Sequence, residues 1–231
     1  MDNRYYFSQM SGDKVTIDGG EAQHLSKVRR AKVGDDIVAF NGDGMDYHLK
    51  ITEITKDKVN AQVVNRTPNR AMHDTRITVY LAMLKHDALL TAIDNLAELN
   101  VKSVKLFKGD FSVAQIDNKK LEKLNQTAIQ ASKQCERADV MQISIIDKKD
   151  IIRDCKATPN NFFAYEDATQ KIGNFSGEFS VIIGCEGGFS PSEVEYFSSF
   201  AKPISLGKTI LRASVACVSS VAMLKAVNNE S

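Results

Sequence analysis

The sequence predicts two domains: a small all-β fold with one inserted helix over residues 1–70, and an α/β domain with a parallel sheet of about six strands over residues 71–231. Three observations carry this. Short runs rich in Val, Ile, Tyr and Phe, split by turn residues, fill the first seventy positions. Strand and helix signals then alternate to the end of the chain. Two of the later strands run directly into glycine-containing loops.

In the first region, strands are expected at Arg4–Ser8, Lys14–Asp18, Ile37–Phe40, Tyr47–Ile54 and Val59–Val64, with a helix over about Glu21–Ala31. Ser11-Gly12-Asp13 and Asn41-Gly42-Asp43-Gly44 supply the turns. From Tyr47 to Ile54 the apolar residues largely alternate, which marks a half-buried strand. Thr67-Pro68-Asn69-Arg70 reads as the linker. Beyond it, strand Ile77–Leu84, helix Asp87–Leu99 and strand Val101–Phe107 form a βαβ unit, hence a parallel pair with a right-handed crossover. A helix over about Lys119–Arg137, a strand Val140–Ile146, a short helix near Ile151 and strands Phe162–Tyr165, Val181–Gly184 and Ile204–Leu206 follow. The final helix, Ala213–Val227, is apolar on nearly every face, which predicts burial all round, between its own sheet and a partner subunit.

Composition narrows the function classes. Lys plus Arg is 30 and Asp plus Glu 29, so bulk charge does not drive binding to a polyanion; any basic surface is local. No window approaches a membrane span, and the N-terminus has no apolar signal core, so a cytoplasmic location is expected. Cys135, Cys155, Cys185 and Cys217 form no Cys-x-x-Cys and lie near no His cluster, so neither a disulfide scaffold nor a metal site is expected.

In open α/β sheets ligands bind beyond the carboxyl ends of the strands. One such end is Val181-Ile182-Ile183-Gly184-Cys185-Glu186-Gly187-Gly188-Phe189, followed by a helix start with Ser190 as N-cap, Pro191 at the first position and Glu193 completing a capping box. Three glycines around a carboxylate exceed what a tight turn requires and point to a ligand lying on the backbone. The other end is Leu206-Gly207-Lys208-Thr209-Ile210-Leu211-Arg212-Ala213. A phosphate loop would need a glycine five positions before Gly207, where Lys202 stands, and no Gly-x-Gly-x-x-Gly occurs, so the usual nucleotide signatures fail. Arg212 sits at the positive end of the last helix, where a cation is disfavoured, and so pairs either with an anionic reacting group or with a structural carboxylate such as Glu186.

With both loops in view the chain resembles the RsmE family, the 16S ribosomal RNA uracil-N3-methyltransferases of the SPOUT superfamily. The family pattern Ile-Gly-Pro-Glu-Gly-Gly-Phe-Ser followed by Glu is met by Ile183–Ser190 and Glu193, with Cys185 in the proline place. Leu-Gly-x-x-Ile-Leu-Arg is met by Leu206, Gly207, Ile210, Leu211 and Arg212. An N-terminal His-Leu-x-x-Val-Leu-Arg-x-x-x-Gly-Asp is close to His24–Asp35, and Ala-x-x-Gln-x-x-Arg is matched by Ala131, Gln134 and Arg137. Departures occur where the family has Thr-Glu-Thr-Ala and this chain has Ala213-Ser214-Val215-Ala216, and where Glu-Arg-Ser becomes Gly109-Asp110-Phe111-Ser112 by rough register.

The resemblance implies a PUA-like β-barrel followed by a SPOUT methyltransferase domain with a C-terminal trefoil knot, acting as a homodimer on 16S ribosomal RNA of the small subunit. It implies S-adenosylmethionine held by Ile183, Gly184, Cys185, Gly187, Gly188, Leu206, Gly207, Ile210, Leu211 and Ala213. Arg212 is then placed to stabilise charge developing on the uracil, and Glu186 either orients the base or caps backbone amides. For RNA contact, His24–Lys32 holds four basic residues and no acid; His24, Lys27, Arg29 and Arg30, with Gln134 and Arg137, are the candidates. A different RNA target, or a relative that binds RNA without turnover, are the competing readings.

Overall fold

The computed structural model describes residues 4–71, 76–170 and 172–229, which divide into two compact units, Met1–Met72 with Ser132–Val140, and His73–Ala131 with Met141–Ser231.

The first unit is one sheet of six strands: β1 (Arg4–Tyr6), β2 (Gln9–Ser11), β3 (Lys14–Asp18), β4 (Asp36–Phe40), β5 (Met45–Ile54) and β6 (Lys58–Pro68), in the order β1-β4-β5-β6-β3-β2. The two edge strands are joined only by Phe7 and Ser8, a reach of about 11 Å at most. Laid flat, a sheet of this order would hold its edges roughly 24 Å apart. The sheet must therefore curl on itself, as a small barrel does. Alternate residues point inward: Val15 and Ile17, Ile37 and Ala39, Tyr47, Leu49 and Ile51, and Val59 and Ala61 form the core with Tyr5 and Phe7.

Three sequence expectations are corrected here. The helix expected over Glu21–Ala31 is a single short turn, α1 (Gly19–Gln23), followed by a π turn over His24–Val28. The Arg29 amide reaches back to the His24 carbonyl, and Arg30 takes a positive φ of 53°, which stops the helix before Ala31. Thr67 and Pro68 belong to β6 rather than to a linker; Pro68 closes the strand opposite Met45, an end position where its missing donor is tolerated. Arg137, expected at the end of a surface helix, is buried. Its Nε and Nη2 donate to the two carboxylate oxygens of Asp139 at 2.8 and 2.9 Å. The guanidinium is thus engaged by a carboxylate within the unit rather than presented on a helix surface.

The second unit is a wholly parallel sheet of β7 (Ile77–Ala82), β8 (Ser103–Phe107), β9 (Gln142–Ile145), β10 (Asn160–Ala164), β11 (Phe179–Ile183) and β12 (Lys202–Ile204), in the order β12-β10-β11-β7-β8-β9. Every residue of β11 is buried, the sign of a strand covered on both faces. Helix α2 (His86–Glu98) presents Leu89, Ile93 and Leu96 at spacings of four and three, and Asn100 ends it in the left-handed conformation with φ 61°. Helices α3 (Asn118–Gln134), α4 (Ile151–Cys155), α5 (Pro191–Ser198) and α6 (Ala213–Val227) complete the unit, except that the last turn of α3 clusters with the first unit. Helix α6 is not buried all round within one chain. Ala213, Cys217, Ser220, Val221 and Leu224 face inward, whereas Val215, Ala222, Met223 and Ala226 are exposed. Among the described residues no helix is long and apolar enough to cross a membrane, and no cluster of His, Cys, Asp or Glu could hold a metal.

Candidate active site

Strand order decides where the loops converge. Since β12, β10 and β11 are neighbours and parallel, the segments leaving their carboxyl ends, 165–169, 184–190 and 205–212, rise on the same edge of the sheet. They enclose a cleft of about 280 Å³. Its wall is mostly small or apolar: Ala164, Ile183, Ile210, Leu211, Ala213 and Ala216, with the backbone of the glycine loop. Leu206 and Gly207 line a smaller cavity of about 80 Å³ that shares Ile210 and Leu211 with the cleft.

The glycines are required by geometry. Cys185 and Gly188 pair across the loop, the Gly188 amide donating to the Cys185 carbonyl at 2.9 Å, and Gly188 has φ 71°. A Cβ on Gly184 would lie 3.2 Å from the Gly188 carbonyl carbon. One on Gly187 would lie 2.9 Å from the Phe111 Cβ, so the segment after β8 packs directly on the glycine loop. Cys185 is buried beneath the turn, its Sγ 3.8 Å from the Gly188 carbonyl oxygen.

The helix after this loop is fixed by the predicted capping box. Ser190 Oγ accepts from the Glu193 amide, and the Glu193 carboxylate accepts from the Ser190 amide at 3.0 Å. Glu193 does more than the sequence motif requires. Its Oε1 also accepts from the Asp110 amide at 3.0 Å and from Lys148 Nζ at 3.1 Å. Lys148 pairs with the Asp110 carboxylate, which also accepts from Ser190 Oγ at 2.5 Å. Hydrogen bonds from Lys148 and Ser190 hold the Asp110 carboxyl below its ordinary range. Burial works to lower the Lys148 ammonium, but its bonds to Asp110 and Glu193 win and raise it. Two separate segments, those of Asp110 and Lys148, are thereby locked to the start of α5, which holds the Phe111 backbone against the glycine loop.

Arg212 caps α6 with an extended backbone, and its exposed side chain lines a neighbouring groove together with Asp87, Thr91 and Glu186. Among the described residues Arg212 and Glu186 form no ion pair. Glu186 instead accepts from the Lys85 amide at the cap of α2, at 3.0 Å. Of the two roles open to Glu186, amide capping is the one this geometry displays.

The predicted set thus separates. Ile183, Gly184, Cys185, Gly187, Gly188, Ile210, Leu211 and Ala213 line one cleft; Leu206 and Gly207 line the cavity beside it; Arg212 and Glu186 line the adjoining groove. In the first unit, His24, Lys27, Arg29 and Arg30 are exposed on and just after the π turn, the His24 ring lying 6.0 Å from that of Tyr5. Gln134 is exposed at the end of α3. Sequence reasoning missed Glu166 and Lys148, and met Asp110 and Phe111 only as a departure from the family pattern, without a role. Glu166 lies two residues past β10 and was reachable by the strand-end rule; Asp110 and Lys148 carry no local signal, being partners only in space.

Comparison with known proteins settles the family. Residues 71–225 match the family described as RNA methyltransferase domain. The chain belongs to the RNA methyltransferase domain family. Residues 17–64 separately match the RNA methyltransferase PUA domain, in the curled sheet of the first unit. Among curated relatives, the "Ribosomal RNA small subunit methyltransferase E" of Rickettsia conorii is 27% identical over 237 residues, covering 96% of this chain and 95% of that one. The protein of the same name from Helicobacter pylori (strain 26695) is 27% identical over 231 residues, covering 93% and 96%. In fold, the chain is similar to a crystal structure of a Ribosomal RNA small subunit methyltransferase E from Neisseria gonorrhoeae bound to S-adenosyl methionine, with a TM-score of 0.85, 21% identity and 98% of each chain covered.

Proposed function

We propose that this RNA methyltransferase transfers a methyl group from S-adenosylmethionine to N3 of a specific uridine in 16S ribosomal RNA of the small subunit, in the cytoplasm and as a homodimer. The observation that carries the reading is the cleft at the carboxyl ends of β12, β10 and β11, with Arg212 in the groove beside it. Family membership and the names of the full-length relatives support the substrate class.

The residues present fit the cofactor. Gly184, Gly187 and Gly188 project no side chain, so a ligand can approach the loop backbone closely, and Ala164, Ala213 and Ala216 leave room for a flat heterocycle. Ile183, Gly184, Cys185, Gly187, Gly188, Leu206, Gly207, Ile210, Leu211 and Ala213 would hold it. When bound, it supplies an electrophilic methyl group. The chain's own task is then positioning and charge control. Uracil N3 becomes nucleophilic only as its proton leaves, and the charge spreads onto O2 and O4. Arg212, fixed by its backbone at the helix cap, offers guanidinium donors to that charge. Glu186 keeps the glycine loop in register with the start of α2 through the Lys85 amide.

His24, Lys27, Arg29 and Arg30 form the RNA-contacting strip of the first unit, and Gln134 joins them as a polar contact. Residues 1–70 act as the RNA-binding PUA-like barrel and 71–231 as the SPOUT methyltransferase domain, whose C-terminal part is read as the trefoil knot. The exposed Val215, Ala222, Met223 and Ala226 on α6 form the apolar face expected of a subunit contact.

Labelled methyl transfer to assembled small subunits beside naked ribosomal RNA, with the product nucleoside mapped by mass spectrometry, tests the reading. The expected product is 3-methyluridine. Another methylated nucleoside assigns a different RNA target, and cofactor binding without transfer assigns a non-catalytic relative whose α6 opening, Ala213-Ser214-Val215, has lost turnover. Sedimentation velocity reports the dimer.

A further inference from the structure

We propose that Glu166 selects the positively charged methyl donor over its neutralised, demethylated product; the inference rests on the cofactor reading above. Strand β10 lies between β12 and β11, so the segment leaving it stands between the other two loops. Glu166 lines both the main cleft and the smaller cavity, the wall common to the two. Its Oε1 lies 3.6 Å from the point a Cβ on Gly188 would occupy, so the carboxylate stands beside the glycine loop on the wall of the cleft.

The charge arrangement gives that position its consequence. Among the described residues the only charged side chains lining the main cleft are Glu166 and Glu186, and no cation lines it. The Glu186 carboxylate is engaged by the Lys85 amide. Among the described residues Glu166 has no hydrogen-bond donor and no ion-pair partner. An unneutralised carboxylate on the wall of a largely apolar cleft favours a ligand carrying net positive charge. S-Adenosylmethionine carries a sulfonium, and S-adenosylhomocysteine is the same skeleton without that charge. Hydrogen bonds to the adenine or ribose cannot tell the two apart; a carboxylate can. Release of spent cofactor after each turnover is the functional gain.

Calorimetric titration of the full chain with each ligand tests this, using the unaltered protein, Glu166→Gln and Glu166→Asp at low and high salt. Glu166 is exposed and unpartnered, so neither substitution disturbs the core. The expected result is that Glu166→Gln weakens S-adenosylmethionine about two- to fivefold, within the range for a solvent-accessible charge pair, and leaves S-adenosylhomocysteine unchanged to within about 1.5-fold. Glu166→Asp keeps most of the discrimination. Salt weakens donor binding to the unaltered chain more than to Glu166→Gln, since only the former has the charge to screen. Equal losses for both ligands, or no loss for either, overturn the proposal while the unaltered chain's binding upholds the cofactor reading. Failure of the unaltered chain to bind either ligand overturns both.

Discussion

Removing one partner of the Arg137–Asp139 pair should destabilise the first unit severely, and removing both should not. Arg137 is 1% exposed and Asp139 3%, and the pair is joined by two charge-assisted hydrogen bonds of 2.8 and 2.9 Å. Asp139→Ala removes the two carboxylate bonds of a buried guanidinium, a loss of about 3–5 kcal/mol. With a urea m-value of about 3 kcal/mol/M for a chain of this size, the unfolding midpoint falls by roughly 1–2 M. The chain has no tryptophan, so far-UV circular dichroism is the signal to follow. Arg137→Met with Asp139→Leu removes both charges and keeps the volume filled, and is expected to recover most of the loss. A midpoint shift below about 0.3 M in Asp139→Ala, or a double variant no better than the single one, refutes the reasoning. RNA titration of the recovered double variant then separates the roles. Unchanged affinity and salt slope fit a structural Arg137, whereas a salt slope smaller by about one assigns it a phosphate after all.

Three further outcomes follow from the second unit. Gly187→Ala places a methyl group against the Phe111 Cβ and should weaken cofactor binding by an order of magnitude or so, about 1.4 kcal/mol; Phe111→Ala keeps the offending carbon and should not rescue it, while Phe111→Gly should. Arg212→Ala should cut turnover by about a hundredfold or more with donor affinity nearly unchanged, as for loss of a donor that acts on developing charge, and single-turnover rates beside calorimetry read this out. Burial works to raise the Asp154 carboxyl, but hydrogen bonds from Lys105 and Tyr80 bring it below its ordinary range. Because the folded value is the lower one, the stability it contributes is full above the unfolded aspartate range and is lost as pH falls through the depressed value. Lys105→Met should therefore flatten the acid side of the stability–pH profile, measured by urea midpoints at successive pH values.

Much of the fold was legible because its signals are local. Alternation along Tyr47–Ile54, the four-and-three spacing of Leu89, Ile93 and Leu96, and the Ser190–Glu193 capping box each involve neighbours in sequence, and each appears where expected. The glycine loop was legible for the same reason. What the sequence hid is non-local or context-bound. Arg137 has the look of a surface residue until Asp139 and the surrounding burial are known. The π turn after Gln23 depends on backbone bonds that no residue type announces. The exposed side of α6 is as apolar as its buried side, so periodicity could not tell them apart. Asp110, Lys148 and Glu193 are brought together from three distant segments, and only the completed sheet makes them a cluster.

The order of strands in the parallel sheet also dictates when it can be assembled. Strand β10 leaves the ribosome before β11, yet its route into the sheet runs through β11, which alone joins β10 and β12 to β7. Until Phe179–Ile183 is synthesised and seated beside Ile77–Leu81, β7 keeps an unpaired edge and β10 has no neighbour on that side. Such long-range closure is slow compared with local hairpin or helix formation, and the waiting edge invites pairing with other chains. The second unit therefore completes its sheet late in synthesis, and a nascent chain stalled before Phe179 is the form most in need of a chaperone.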